Sequence, residues 1–246
     1  MRENRQADRS SAIIKVNYSS RGALKMDYAQ NISRGGLFLA TESTFSIGDS
    51  VELQLNSHGL VEPISLPGIV RWVGKRGTPP IQGIGIQFSF KSDDEQAKID
   101  AMMNALDDSS ALSEQTTVYI LDPNDYASKL YADGLQKMAQ RQASKIKGQL
   151  VIERFTDAKA VRQRMKVKPC DVLITELKAP DLDGVALVRA LRAEKGDDLP
   201  IFAISKAFPG DRQAALNAGA SAFLNKPLQQ RTLFNTLLLC LKQDQQ

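Results

Sequence analysis

Through the first hundred residues, apolar positions alternate with polar ones. Ile14, Val16 and Tyr18 flank Lys15 and Asn17; Leu24, Met26 and Tyr28 flank Lys25 and Asp27; Val51, Leu53 and Leu55 flank Glu52 and Gln54. A period of two puts one face of a strand in a core and the other in water. Further strands are expected at 36–41, 68–74 (GIVRWVG) and 83–90 (GIGIQFSF), separated by the turn-forming stretches SSRG, NISRGG, SIGD, SHG and KRGTPP. Six short strands at this spacing predict a small antiparallel β-barrel. Trp72, inside IVRWV, reads as a core residue, with a stacking platform as the alternative. Ser92 with Glu95 has the spacing of a capping box, opening a helix with an apolar stripe of Ile99, Met102 or Met103, and Leu106. The polar, aperiodic stretch that follows is expected to be a linker at 109–116.

From residue 117 the pattern changes. Short apolar runs (VYIL at 118–121, LVIERF at 150–155, DVLIT at 171–175, IFAI at 201–204, AFL at 222–224) alternate with amphipathic stretches near 124–142, 157–167, 184–194, 211–218 and 229–242. Five strands alternating with five helices predict an α/β doubly wound fold around a five-stranded parallel sheet, with function at the carboxyl ends of the strands. The expected domains are therefore a barrel with an N-terminal arginine arm at 1–108 and an α/β domain at 117–246.

The 246 residues suffice for two ordinary domains, and 42% hydrophobic with 24% charged residues is the composition of a globular chain. No apolar run approaches the ~18 residues of a membrane helix. The charged opening MRENRQADRS speaks against a secretory signal. Cys170 and Cys240 are far apart, so neither a disulfide framework nor a CxxC metal site is expected, and a reducing compartment is the simplest setting. His58, the single histidine, sits in an SHG turn, which argues against a zinc site or a Ser–His–Asp triad. Net charge is +4, with 11 basic against 3 acidic residues in 129–168. These cations lack interleaved aromatics and read as a solvated helical face rather than a nucleic-acid surface.

Three pieces stand together in the first domain. Arg5 and Arg9 form an RxxxR ahead of the first strand, Asn31-Ile32-Ser33-Arg34-Gly35-Gly36 forms an NxSxxG at a strand-to-strand turn, and GIVRWVG with GIGIQF closes the barrel. On these residues the segment resembles the PilZ family, six-stranded barrels that bind the bacterial second messenger cyclic di-GMP. The resemblance implies a ligand site of Arg5, Arg9, Asn31, Ser33 and Gly36, with Arg2, Arg34 and Gly35 as further candidates. The chemistry suits such a ligand: a guanidinium can hydrogen-bond phosphate or guanine O6 and N7 and can stack on a purine. Asn31 and Ser33 offer short polar groups to a base edge, and the glycines let the backbone approach closely.

The second domain resembles the receiver domain of two-component response regulators through DVLITELKAPDLDG (171–184), the IFAIS strand end and GASAFLNKPL (219–228). In that family an acidic cluster binds magnesium and an aspartate accepts a phosphoryl group. Here the resemblance puts Glu176 at the acceptor position and Asp122-Pro123 where an acidic pair is expected, with Asp125 in a different register. Ser205, Lys226 and Phe223 match the family's Ser/Thr, Lys and aromatic positions. Magnesium needs near-ideal octahedral oxygen geometry. One missing carboxylate and one lengthened by a methylene predict a vestigial site of Asp122, Glu176, Ser205 and Lys226, with no metal and no phosphoryl transfer. The carboxylate of Glu176 could instead stand as a fixed charge near Lys226.

The sequence therefore predicts a bacterial, cytoplasmic signalling protein, not an enzyme. It would sense cyclic di-GMP and act through contact with other proteins. A leftover stripe on the last helix, around Leu233, Leu237, Leu238 and Leu241, is a candidate for homodimerisation. No DNA-reading motif and no cofactor are expected. The alternatives are a phosphorylatable response regulator with a PilZ output and a PilZ-like adaptor that binds no ligand.

Overall fold

The computed structural model describes residues 10–20, 22–56, 62–77, 80–107, 115–141, 148–206 and 208–241. Arg2, Arg5, Arg9 and His58 lie outside the described residues. Strands β1 (Ser10–Ser20), β2 (Ala23–Ser33), β3 (Gly36–Ala40), β4 (Ser50–Asn56), β5 (Ile64–Arg76) and β6 (Ile81–Phe88) close into an antiparallel barrel in the order β1-β2-β3-β6-β5-β4. Inside lie Ile14, Val16 and Tyr18 of β1, Leu37 and Leu39 of β3, Leu53 and Leu55 of β4, and Ile84 and Ile86 of β6. Helix α1 (Asp93–Asp107) adds Ile99, Met102 and Met103 to this core. The Glu95 amide donates to Ser92 Oγ at 3.3 Å, while the Glu95 carboxylate reaches back to the Lys91 amide at 2.7 Å. The capping box is thus present but extended by one residue.

The period-two reading of β2 needs correction. Val16 faces Asp27 and Ile14 faces Ala29 across the β1–β2 ladder, so Asp27 and Ala29 point inward. Leu24, Met26 and Tyr28 point outward. Leu24 is 79% exposed, whereas Tyr28 is fully buried. Trp72 is also not core: a register irregularity between Val70 and Trp72 turns it outward, where it is 39% exposed and rests against Phe38.

The second domain runs β7 (Gln115–Leu121), α2 (Asp125–Arg141), β8 (Gln149–Phe155), α3 (Ala158–Val167), β9 (Val172–Glu176), α4 (Gly184–Lys195), β12 (Ile201–Ser205), α5 (Asp211–Ala218), β13 (Ala222–Asn225) and α6 (Gln230–Cys240). Its parallel sheet has the order β13-β12-β9-β7-β8. Between β9 and α4 sits a small hairpin, β10 (Lys178–Ala179) and β11 (Leu182–Asp183), which the sequence pattern did not announce. Strand β7 begins at Gln115, two residues ahead of the domain start expected at 117. Both faces of the central strands are covered, so every residue of β9 and β12 is buried.

What buries Tyr28 is this second domain. Tyr28 and Ile13, both on the outside of the barrel, belong to the α/β core, and Leu239 of α6 belongs to the barrel core. The Tyr28 hydroxyl donates to the Ala220 carbonyl at 2.9 Å, and the Ile13 amide donates to Thr236 Oγ1 at 3.1 Å. Arg212 of α5 lies 3.6 Å from Asp27. Helix α6 is buried on all sides from Leu233 to Cys240, Asn235 and Thr236 included. The apolar stripe considered for homodimerisation is thus covered within the chain.

Candidate functional site

The NxSxxG residues sit where β2 breaks its ladder with β3. The register slips between Gln30 and Ser33, and Asn31 at the slip has φ 51°. Asparagine is among the few residues with a side chain that accept this left-handed conformation readily. Ser33 Oγ donates to the Gly36 carbonyl at 3.0 Å, and the Phe88 amide donates to the Gly35 carbonyl at 2.9 Å, so the turn is tied to itself and to β6. A Cβ on Gly36 would stand 2.1 Å from the Ile86 carbonyl oxygen, which makes glycine obligatory there; at Gly35 the space is open. Arg34 turns away to α1, 3.1 Å from Asp100 and 2.8 Å from Asn104 Oδ1.

Asn31 lines a cavity of about 220 Å³ between the two domains. Gln30, Phe38 and Arg76 share the barrel side with it. The other side is the connection from β13 to α6, including Asn225, Gln229 and Thr232. Arg76 makes no ion pair among the described residues. Sequence reasoning missed it because it lies at the end of β5, far from either motif.

At the carboxyl ends of the second domain's strands, Asp122, Glu176 and Lys226 come together. The Lys226 ammonium lies 2.7 Å from Asp122 Oδ2 and in contact with Glu176 Oε2, and all three side chains are largely buried. Burial opposes the charge on Lys226, but hydrogen bonds to Asp122 and Glu176 outweigh it and raise its pKa above the ordinary lysine value. The other oxygens are also used: Asp122 Oδ1 accepts from the Asn124 amide at 2.9 Å, and Glu176 Oε1 from the Lys178 amide at 3.1 Å. Tyr131 lies beneath the ammonium, 5.8 Å from ring centre to Nζ.

Ser205 does not join this group. Its hydroxyl bonds Asp211, which is fully buried and 2.5 Å from Lys178 Nζ. Asp211 and Lys178 escaped the sequence reading because an ion pair across 33 residues leaves no local pattern. Asp125 faces outward to Arg154 at 2.7 Å. Other cations of the basic segment are paired too, Arg164 gripping Glu153 through two hydrogen bonds of 2.7 and 2.8 Å. The residues present do not suit magnesium: an ammonium already lies between the two carboxylates, and position 123 is proline. Among the described residues there is no group of three or more His, Cys, Asp or Glu that could hold a metal, and no helix is long and apolar enough to cross a membrane.

Comparison with known proteins agrees with both halves. The PilZ domain profile matches residues 3–105, and the response regulator receiver domain profile matches residues 131–238. The signal transduction histidine-protein kinase BarA of Escherichia coli K12 is 27% identical over 124 residues, 50% of this chain and 12% of the kinase. The transcriptional regulatory protein PrrA of Mycobacterium leprae is 39% identical over 71 residues, 28% of this chain and 30% of the regulator. The chain therefore spans less than a third of the length of these relatives. Among solved structures, the chemotaxis protein CheY4 of Vibrio cholerae is 22% identical, covering 50% of this chain and 96% of that one, with a TM-score of 0.43. A response regulator from Clostridium difficile is 19% identical over 52% of this chain and 98% of that one, with a TM-score of 0.45. A closed six-stranded barrel carrying NxSxxG, followed by a five-stranded receiver sheet, places this chain among the signalling proteins that join a PilZ domain to a response-regulator receiver domain.

Proposed function

We propose that this protein is a receptor for cyclic di-GMP whose receiver domain acts by protein contact and not by phosphoryl transfer. The observation that carries the ligand reading is the NxSxxG turn of the PilZ domain, with Asn31 held at a cavity that Arg76 also lines. The ligand carries two phosphates and two guanines, and Arg5, Arg9 and Arg76 are the groups suited to both. Ser33 and Gly36 support the turn that presents Asn31, while Arg34 is occupied by α1. A bacterial cytoplasm is the setting in which this messenger is met, and neither Cys170 nor Cys240 is in a disulfide.

Isothermal calorimetry of the full chain with cyclic di-GMP tests the reading. The parent should bind, and Arg5→Ala or Arg9→Ala should weaken binding about tenfold to a hundredfold, the worth of a charge-assisted hydrogen bond of ~1.5–3 kcal/mol. A parent that releases no binding heat at any temperature tried would leave the ligand-free adaptor as the better description.

For the receiver, the supporting observation is Lys226 seated between Asp122 and Glu176, with Ser205 bound to Asp211. Glu176 then acts as a permanent negative charge beside Lys226. Incubation with acetyl phosphate and magnesium should leave the intact mass unchanged. A phosphoryl adduct mapping to Glu176 or Asp122 would favour the phosphorylatable response regulator.

A further inference from the structure

The interdomain cavity has two walls of different origin. Gln30, Asn31 and Arg76 come from the barrel; Asn225, Gln229 and Thr232 come from the receiver. At about 220 Å³ it is smaller than the ~300–1,000 Å³ pockets that engulf whole small ligands, so it admits one part of a larger molecule. Its receiver wall mixes apolar and polar residues, and one polar group is unsatisfied: Asn225 Oδ1 is buried without a hydrogen-bond partner among the described residues. Buried acceptors are nearly always paired, so an unpartnered oxygen on a residue that lines the cavity marks a place for a donor. The N2 amine of guanine is such a donor, and the side chain of Gln229 can both donate and accept. On the opposite wall, Arg76 offers its fork to phosphate or to guanine O6 and N7.

We infer that the receiver's β13–α6 connection forms the second wall of the cyclic di-GMP site, an inference that rests on the ligand reading above. Asn225 and Gln229 contact one guanine of the ligand, and Asn31 and Arg76 hold the same portion from the barrel. The receiver is then part of the receptor. Asn225 directly precedes Lys226, so the ligand sits one residue from the ammonium that joins Asp122 and Glu176.

The test uses the full chain and cyclic di-GMP. Gln229 is exposed at the start of α6, so Gln229→Ala should fold normally. Gln229→Ala and Asn225→Ala should each weaken binding about three- to tenfold in calorimetry, the worth of one neutral hydrogen bond. Amide hydrogen exchange across 225–232 should slow when ligand is added. If Asn225→Ala fails to fold, Gln229→Ala and the exchange measurement decide. If the receiver variants bind like the parent and 225–232 gains no protection while Arg9→Ala loses binding, the barrel alone forms the site and this inference falls, with the receptor function intact. If the parent does not bind at all, the receptor function falls and takes the inference with it.

Discussion

Lys226 shows how one side chain can define the state of a site. It sits between two carboxylates that would otherwise repel each other in a largely buried space. Taking such charges out of water is costly, and the cost is offset only while the partners remain. The three charges sum to minus one, so the two single changes are unequal. Glu176→Gln leaves a matched pair and should cost about 1 kcal/mol or less, whereas Lys226→Met leaves two buried carboxylates and should cost at least ~3–5 kcal/mol. Because the pKa of Lys226 is raised in the fold, its contribution is present in full below the ordinary lysine range and is lost as pH climbs through the raised value. Denaturant titrations of parent and variants at neutral and alkaline pH check this. Equal costs for the two variants would mean that Lys226 does not bind the carboxylates together.

At the scale of elements, α6 carries the connection between the domains. Its Leu233, Phe234, Leu237 and Leu238 belong to the receiver core, while Leu239 reaches the barrel and Thr236 accepts the Ile13 amide. Leu239→Ala should cost ~2–5 kcal/mol, like other large-to-small changes in a packed core. Its effect should appear in the other domain, as faster amide exchange along β1 and β4 of the barrel. Barrel amides that exchange as in the parent would show that Leu239 contributes nothing there. Strand β2 does a related task from the barrel side: the slip at Asn31 changes its aim, Asp27 faces in toward Tyr18, and Tyr28 faces out to Ala220.

Taken as a whole, the molecule was legible in its sequence wherever burial follows a local period. The alternation of Ile14, Val16 and Tyr18 marked the barrel, and the apolar runs at 118–121 and 201–204 marked the receiver sheet. Periodicity reports that a residue is buried but not by what. Leu24, Met26 and Tyr28 share one face of β2, yet only Tyr28 is covered in full, because the receiver reaches that far and no further. The same limit hid the second role of α6 and the outward turn of Trp72. At the candidate sites, residues that share a local motif can be picked out from spacing, as the turn residues Asn31, Ser33 and Gly36 can. Asp211, Lys178, Arg76 and Asn225 could not, since each acquires its partner or its cavity only when distant segments meet.

The shared packing also sets a timetable for biosynthesis. The ribosome completes the barrel's own strands and α1 by residue 107, but Leu239 emerges only after nearly the whole receiver has been translated. At ~5–20 residues per second, that delay is on the order of ten seconds. Until it ends, the nascent barrel lacks one of its core side chains and exposes Ile13 and Tyr28, which the receiver will cover. During that interval they add to the apolar surface open to a chaperone, beside side chains such as Leu24 and Ile47 that stay exposed in the finished fold.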